Sequence, residues 1–336
     1  MRALVIGGTA FMGPHVVRGL AALGHEVAVF HRGKTPADLP SGAREILGDR
    51  RAIGESAPAL RAFRPDVVVD MVLLSEDDVR GVHSVLGGVA GRLVAVSSVD
   101  AYRAYGVLIG VEGGEPEPAP LREEAPLRAC RYPFRGKVPG MDLYDKVLVE
   151  RAALGFAEMS ATVLRLPMVH GPGDRQRRVR EFLAPMDRGR KAILLDAAAA
   201  AWEGCRGYVE NVAAAIVLAA VDARAAGRVY NVAEPVSRSQ REWVAGIAAA
   251  AGWGGRTVEL PAARLPERLR AGMNTAQSLA VDSSAIRREL GYREEVAWDE
   301  GLRRTVAWER AHPPAAPPPD SEADAEEDAI LAGLAS

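Results

Sequence analysis

The turn Gly7-Gly8-Thr9-Ala10-Phe11-Met12-Gly13 constrains this chain more than any other stretch. It comes after Arg2-Ala3-Leu4-Val5-Ile6, an apolar run too short for a helix and branched enough for a buried parallel strand. From Pro14 to Leu23 the apolar residues recur at helical spacing. Pro14 sits where a first turn tolerates a missing N–H, and Gly24 stops the helix. A glycine turn between a first strand and a first helix offers backbone N–H groups and the helix dipole to a pyrophosphate. The first glycine permits the tight turn, and Gly13 lets the helix pack closely on the strand. Ala10 stands where the usual fingerprint has its middle glycine, and an ordinary strand-to-helix turn would use the same residues. The rest of the chain has to decide between the two.

Further apolar runs lie at Glu26–Phe30, Glu45–Leu47, Asp66–Val72, Arg92–Val96 and Ala161–Arg165. Among the first of these runs, helical stretches of about 10–15 residues intervene, the alternation of a parallel, right-handed wound sheet. The expected fold is α/β: a doubly wound parallel Rossmann sheet with a small C-terminal α/β substrate lobe. Residues 1–170 read as the nucleotide-binding domain, with a Pro- and Glu-rich, lid-like insertion at 103–141. Residues 171–312 read as a substrate lobe interleaved with the sheet, and 313–336 as a disordered Pro-rich and acidic tail.

In such sheets the carboxyl end of the second strand distinguishes the cofactors: an acid binds the ribose 2′-OH, an Arg accommodates a 2′-phosphate. Here His31-Arg32-Gly33-Lys34 carries no acid, so Arg32 points to NADP, with NAD the alternative. Val72 and Leu73 end the fourth run, where a dinucleotide should pass.

The glycine turn resembles that of the extended and atypical short-chain dehydrogenase/reductases, the NAD-dependent epimerase/dehydratase family, in the branch reading Gly-Gly-x-x-x-x-Gly. The resemblance continues in Ser97-Ser98-Val99-Asp100-Ala101-Tyr102, Pro167–Asp174, Arg206–Ala213, Val229–Ala233 and Asp282–Tyr292, and so spans about residues 1–312. It implies cofactor contacts from Gly7, Gly8, Thr9, Phe11, Met12 and Gly13, and an adenine contact from Asp49. It also implies Ser98, four residues before Tyr102, as the hydroxyl that holds the reacting oxygen. Asp100 and Arg206 are the expected substrate contacts, Arg206 toward the phosphates of a sugar nucleotide.

The family's remaining signature is Tyr-x-x-x-Lys on a helix, where an ammonium favours the phenolate of an acid/base tyrosine. This chain departs from it. With Tyr144 as the family tyrosine the lysine position holds Leu148; with Lys146 as the family lysine the tyrosine position holds Asp142. Lys146 and Glu150 keep the family's Lys-x-x-x-Glu spacing, and Lys34, Lys137, Lys146 and Lys191 are the only lysines among 42 basic residues. Both facts favour the second register. On a regular helix Tyr144 and Lys146 lie about 200° apart, so only an irregular first turn brings them together. The expected catalytic set is Ser98, Tyr144 and Lys146, with Lys146 also a ribose ligand.

The resemblance implies an oxidoreductase, epimerase or dehydratase acting on a secondary alcohol or carbonyl, with a sugar nucleotide as one substrate class, a small molecule as its partner and a homodimer as one option. The broken spacing leaves a cofactor sensor or scaffold as a rival reading. A third comes from the likeness of this branch to stem-loop RNA-binding relatives. A net charge of −2 and 5% aromatic residues argue against nucleic acid. Six scattered histidines give no metal-ligand spacing. Cys130 and Cys205 read as reduced thiols of a cytoplasmic protein, and no apolar run is long enough to span a bilayer.

Overall fold

A computed structural model describes residues 1–36, 38–315 and 321–335. The opening run forms β1 (Arg2–Ile6), and the glycine turn leads into helix α1 (Met12–Ala22). Next in chain order are β2 (Glu26–His31), β3 (Arg44–Leu47), α2 (Ala57–Phe63), β4 (Val67–Asp70), α3 (Glu76–Leu86) and β5 (Arg92–Ser98). The first half closes with α4 (Arg103–Leu108), α5 (Lys146–Gly155), β6 (Ser160–Leu166) and β7 (Met168–His170). Seven parallel strands make the central sheet, in the order Val229–Asn231, β6, β5, β4, β1, β2, β3. The strand order reverses beside β1, which places a ligand crevice at the carboxyl ends of β1 and β4.

Both faces of the sheet are covered, as its unbroken apolar strands require. Along β1 the side chains alternate: Ala3 and Val5 join the core under α1 and the Val209–Val221 helix, Leu4 and Ile6 the core under α2, α3 and α5. Gly19 of α1 lets the Val209–Val221 helix approach, since a Cβ there would stand 2.9 Å from Val217.

Beyond β6 the chain alternates between the sheet and a second cluster of elements. There β7 pairs with Arg206–Tyr208, Ala192–Asp196 with Arg256–Leu260, and Glu203–Gly204 with Arg238–Ser239. A separate apolar core, including Phe182, Leu183, Trp243, Ile247 and Leu302, holds these together.

Two expectations need correction. The fourth strand stops at Asp70, short of Val72 and Leu73, because the buried Asp70 carboxylate accepts the Val72 N–H at 3.0 Å and turns the chain. The tail is not disordered over Ser321–Ala335, which is helical and docked. Its Asp324, Glu327 and Asp328 pair with Arg190, and Glu326 and Glu327 pair with Arg268. Ile330 and Leu331 pack against the core of Leu194, Leu260 and Leu265. An acidic segment stays unfolded only while it lacks such partners. Residues 316–320 of the expected disordered tail lie outside the described residues.

Candidate active site

The glycine turn is tight enough to exclude side chains at its glycines. Gly7 adopts φ +83°, and a Cβ on it would reach within 2.8 Å of Val72. A Cβ on Gly13 would lie 2.5 Å from the carbonyl carbon of Gly8, so α1 starts in contact with the turn itself. Phe11 precedes α1 at φ 51°, and Gly173 from beyond β7 lies above it, its Cβ direction 3.8 Å from the Phe11 Cα. Thr9, Phe11 and Met12 are half-buried along the same turn. This cradle, closed to a Cβ and set at a helix N-terminus, fits a pyrophosphate.

Past the carboxyl end of β2, Arg32 and Lys34 are exposed and no acid stands between them. Asp49 is also exposed, and its carboxylate caps the next turn by accepting the Arg51 N–H at 2.9 Å. Its neighbour Arg50 turns inward to the buried Asp70 at 2.5 Å and to Asp78 at 3.0 Å. These pairs fix the turn carrying Val72 and Leu73.

The chemistry-bearing side chains gather where β4 and β5 end. Asp145 caps α5, its carboxylate accepting the N–H groups of Val147 and Leu148, so the helix begins at Lys146 and Tyr144 stands outside it. Asp145 is extended (φ −157°, ψ 105°), and an extended residue puts the side chains before and after it on one side. The Lys146 ammonium accordingly lies 5.7 Å from the Tyr144 ring centroid. The two-residue spacing, incompatible with a helix, is met by a strand-like step into the helix.

The Tyr144 hydroxyl donates to Asp100 Oδ2 at 2.5 Å, and the Asp100 N–H donates to the Ser98 hydroxyl at 3.2 Å. Ser98, Asp100 and Tyr144 thus form one connected group. Lys146 is 6% exposed and donates to the carbonyls of Leu73, at 2.6 Å, and Val96, at 3.0 Å. Burial pulls its ammonium down to about 8, against the pull of Asp100, Asp70, Glu150 and Asp78. Burial pushes the Tyr144 phenol well above its ordinary value, and the Asp100 charge pushes it the same way.

Several supporting residues carried no mark in the sequence. Arg128 is fully buried and holds the group from behind, donating to the Asp100 carbonyl at 2.6 Å, to the Cys130 carbonyl at 2.5 Å and to Asp145 at 3.4 Å. Phe134, from the 103–141 insertion, packs on Tyr144 with ring centroids 5.2 Å apart, and Tyr105 meets Phe134 edge-on at 6.4 Å. Glu150 accepts from Ser97 at 2.6 Å and from Arg165 at 2.7 Å, tying α5 to β5 and β6. Two of the supporting residues did announce themselves: Glu150 by the Lys-x-x-x-Glu spacing, and Asp145 because an Asp before Lys-Val-Leu-Val is a helix-start signal.

Arg206 is placed apart from this group. It is 6% exposed, and its guanidinium donates to the carbonyls of Gly204 and Arg238 and to Gln240, over the ring of Trp243. Burial pulls it down to about 10. These internal acceptors occupy the cation that was expected to face a phosphate. Among the described residues no cluster of His, Cys, Asp and Glu could hold a metal, and no helix is long and apolar enough to cross a membrane.

Comparison with known proteins bears on the family and the fold. Residues 3–85 match the model of the NAD dependent epimerase/dehydratase family. The chain is 29% identical over 278 residues to 2'-dehydrokanamycin reductase of Streptomyces kanamyceticus, covering 80% of this chain and 72% of that one. Among solved structures, a putative epimerase from Burkholderia cenocepacia superposes with TM-score 0.71 at 22% identity, covering 92% of this chain and 98% of the other. The UDP-glucose 4-epimerase of Thermus thermophilus, solved with NAD, gives TM-score 0.65 at 24% identity, covering 93% of this chain and all (100%) of the other. These structural likenesses establish the fold.

Proposed function

We propose an NADP(H)-dependent oxidoreductase acting at a secondary alcohol or carbonyl of a sugar, a reading supported by the match of residues 3–85 to the NAD dependent epimerase/dehydratase family, by the reductase relative and by the shared fold. The observation that carries the reading is the connected group Ser98–Asp100–Tyr144, with Lys146 beside it, at the strand ends flanking the Gly7–Gly13 cradle. Arg32 and Lys34, with no acid near them on that turn, support the 2′-phosphate form of the cofactor. The carbonyl is supported by the relative, a reductase of 2'-dehydrokanamycin by its name, and the sugar by the neighbour, a UDP-glucose 4-epimerase by its name. With Arg206 turned to internal acceptors, a nucleoside diphosphate gains no charge partner there, which favours a sugar without that anchor.

When bound, the nicotinamide would supply or accept the hydride. The cradle would take its pyrophosphate on backbone N–H groups, and Val72 and Leu73 would border its passage toward Lys146. Ser98 would hold the reacting oxygen by hydrogen bond while charge shifts onto it. Tyr144 would carry the proton between that oxygen and the protein. The half-buried Phe134 and Tyr105 would keep water from the hydroxyl.

Cofactor binding by fluorescence titration, together with NADPH oxidation in the presence of keto-sugars, tests this reading. Tyr144→Phe should leave the dissociation constant unchanged and lower turnover roughly 10²–10⁴-fold, the scale of a lost general acid/base. Undiminished turnover in Tyr144→Phe would remove the residue from the chemistry. Tight binding with no turnover of any carbonyl sugar in the parent protein would instead identify a cofactor sensor.

A further inference from the structure

The geometry points to Asp100, and not Lys146, as the group that sets the proton state of Tyr144: it holds the phenol neutral, so the resting site is loaded as a proton donor for carbonyl reduction. This inference rests on the oxidoreductase reading. Two charges compete for the phenol. The Asp100 carboxylate is in direct hydrogen-bond contact, 2.5 Å from the hydroxyl oxygen. The Lys146 ammonium is 5.7 Å from the ring centroid and spends protons on the Leu73 and Val96 carbonyls. Losing the phenolic proton would put two negative oxygens at that contact in a buried site, and this like-charge cost exceeds the attraction of a more distant cation.

The surroundings do not reverse the balance. Arg128, from the insertion, is the other cation facing the pair, yet it donates to the Asp100 main-chain carbonyl, to Cys130 and to Asp145, not to the Asp100 carboxylate. Tyr105, from α4, faces the same carboxylate and brings no positive charge. Burial of the Tyr144 phenol and the charge of the carboxylate act on it in the same direction.

This arrangement fixes the proton balance of the reaction. In reduction the carbonyl carbon would accept a hydride, and with it two electrons, which a bound reduced nicotinamide would supply. The carbonyl oxygen takes the Tyr144 hydroxyl proton, completing the alcohol. The Tyr144 phenolate recovers a proton from solvent by way of Asp100. In the oxidising direction Tyr144 must first be stripped of its proton, so the rate in that direction should rise with pH. The pair selects the resting form and leaves the equilibrium constant of the reaction untouched.

Ultraviolet difference titration of the cofactor-free protein, with the Tyr144→Phe titration subtracted, isolates the Tyr144 phenolate. In the parent it should not form near neutrality. Asp100→Asn keeps a hydrogen-bond acceptor and removes the charge, so it should move phenolate formation down by about 1 pH unit or more. Asp100→Glu, which restores the charge, should return it upward. An unchanged titration in Asp100→Asn would overturn the proposal. So would a parent Tyr144 that ionises below about pH 8, as a lysine-controlled phenol does, and that measurement needs no Asp100 variant. Neither result depends on substrate, so the enzymatic reading stands or falls separately on turnover.

Discussion

At one end of the cleft, the Gly7–Gly13 turn is shaped by backbone and by what glycine leaves out. Its contacts link residues a few positions apart, such as Gly8 and Gly13, and its distant partners, among them Val29, Val72 and Gly173, bring apolar bulk or backbone and no charge. At the other end, the Tyr144 group is shaped by charged and polar side chains brought from residues 98–150. Arg128 and Asp145 are both fully buried there, and the acid controlling Tyr144 comes from 44 residues away. The first region depends on close approach, the second on every buried charge keeping its partner. The two should therefore fail differently.

The widest separation comes from Arg128→Met. It leaves the Asp145 carboxylate buried without its cation and the Asp100 carbonyl without its donor, so chemical denaturation should show a loss of about 3–5 kcal/mol. A loss below about 1 kcal/mol would mean the Tyr144 end is not held by its buried charges. Gly13→Val attacks the other region. Overpacking against Gly8 should cost about 1–3 kcal/mol and abolish dinucleotide binding, and a variant that binds normally would show that the turn is not the nucleotide seat.

Lys146 sharpens the comparison through pH. Burial lowers its pKa from 10.5 to about 8, so between those values the unfolded chain holds more protons than the folded one. Stability should accordingly rise with pH across that window, by at most about 1.4 kcal/mol per unit from this group. Lys146→Met should lose that slope, and identical profiles in denaturation at several pH values would contradict the burial. The smallest effect is expected at the exposed edge of the nucleotide region. Arg32→Ala should reduce the preference for NADPH over NADH roughly tenfold, about 1.4 kcal/mol, and an unchanged preference would assign the 2′-phosphate to other groups.

The same contrast explains what could be read from the sequence. β1, β5 and the glycine turn were legible because their signals, branched runs and a glycine at the strand end, act over a few residues. Ser98, Tyr144 and Lys146 were found as residue types, but the way they meet was not. A helix drawn through Met141–Arg151 separates Tyr144 from Lys146, whereas the Asp145 cap, present in the sequence, starts the helix two residues later than Tyr144. Arg128 carried no signal at all. One of many arginines, it acquires meaning only from Asp100, 28 residues earlier, and Asp145, 17 residues later. Arg206 had a motif around it, yet the motif does not say which acceptors a guanidinium will meet. Its orientation was set by Gln240, 34 residues on.

The docked Ser321–Ala335 helix has a consequence for how its contact behaves in solution. Its ion pairs with Arg188 and Arg268 are partly exposed, and pairs of that kind contribute about 0.2–1 kcal/mol each. As a free peptide such a helix would bind weakly. It belongs to the same chain, however, and segments so linked meet at an effective concentration in the millimolar range. Docking is then a unimolecular equilibrium, indifferent to dilution of the protein. Its ion pairs remain open to screening over a Debye length of about 8 Å at physiological ionic strength. Added salt, and not dilution, is what loosens it.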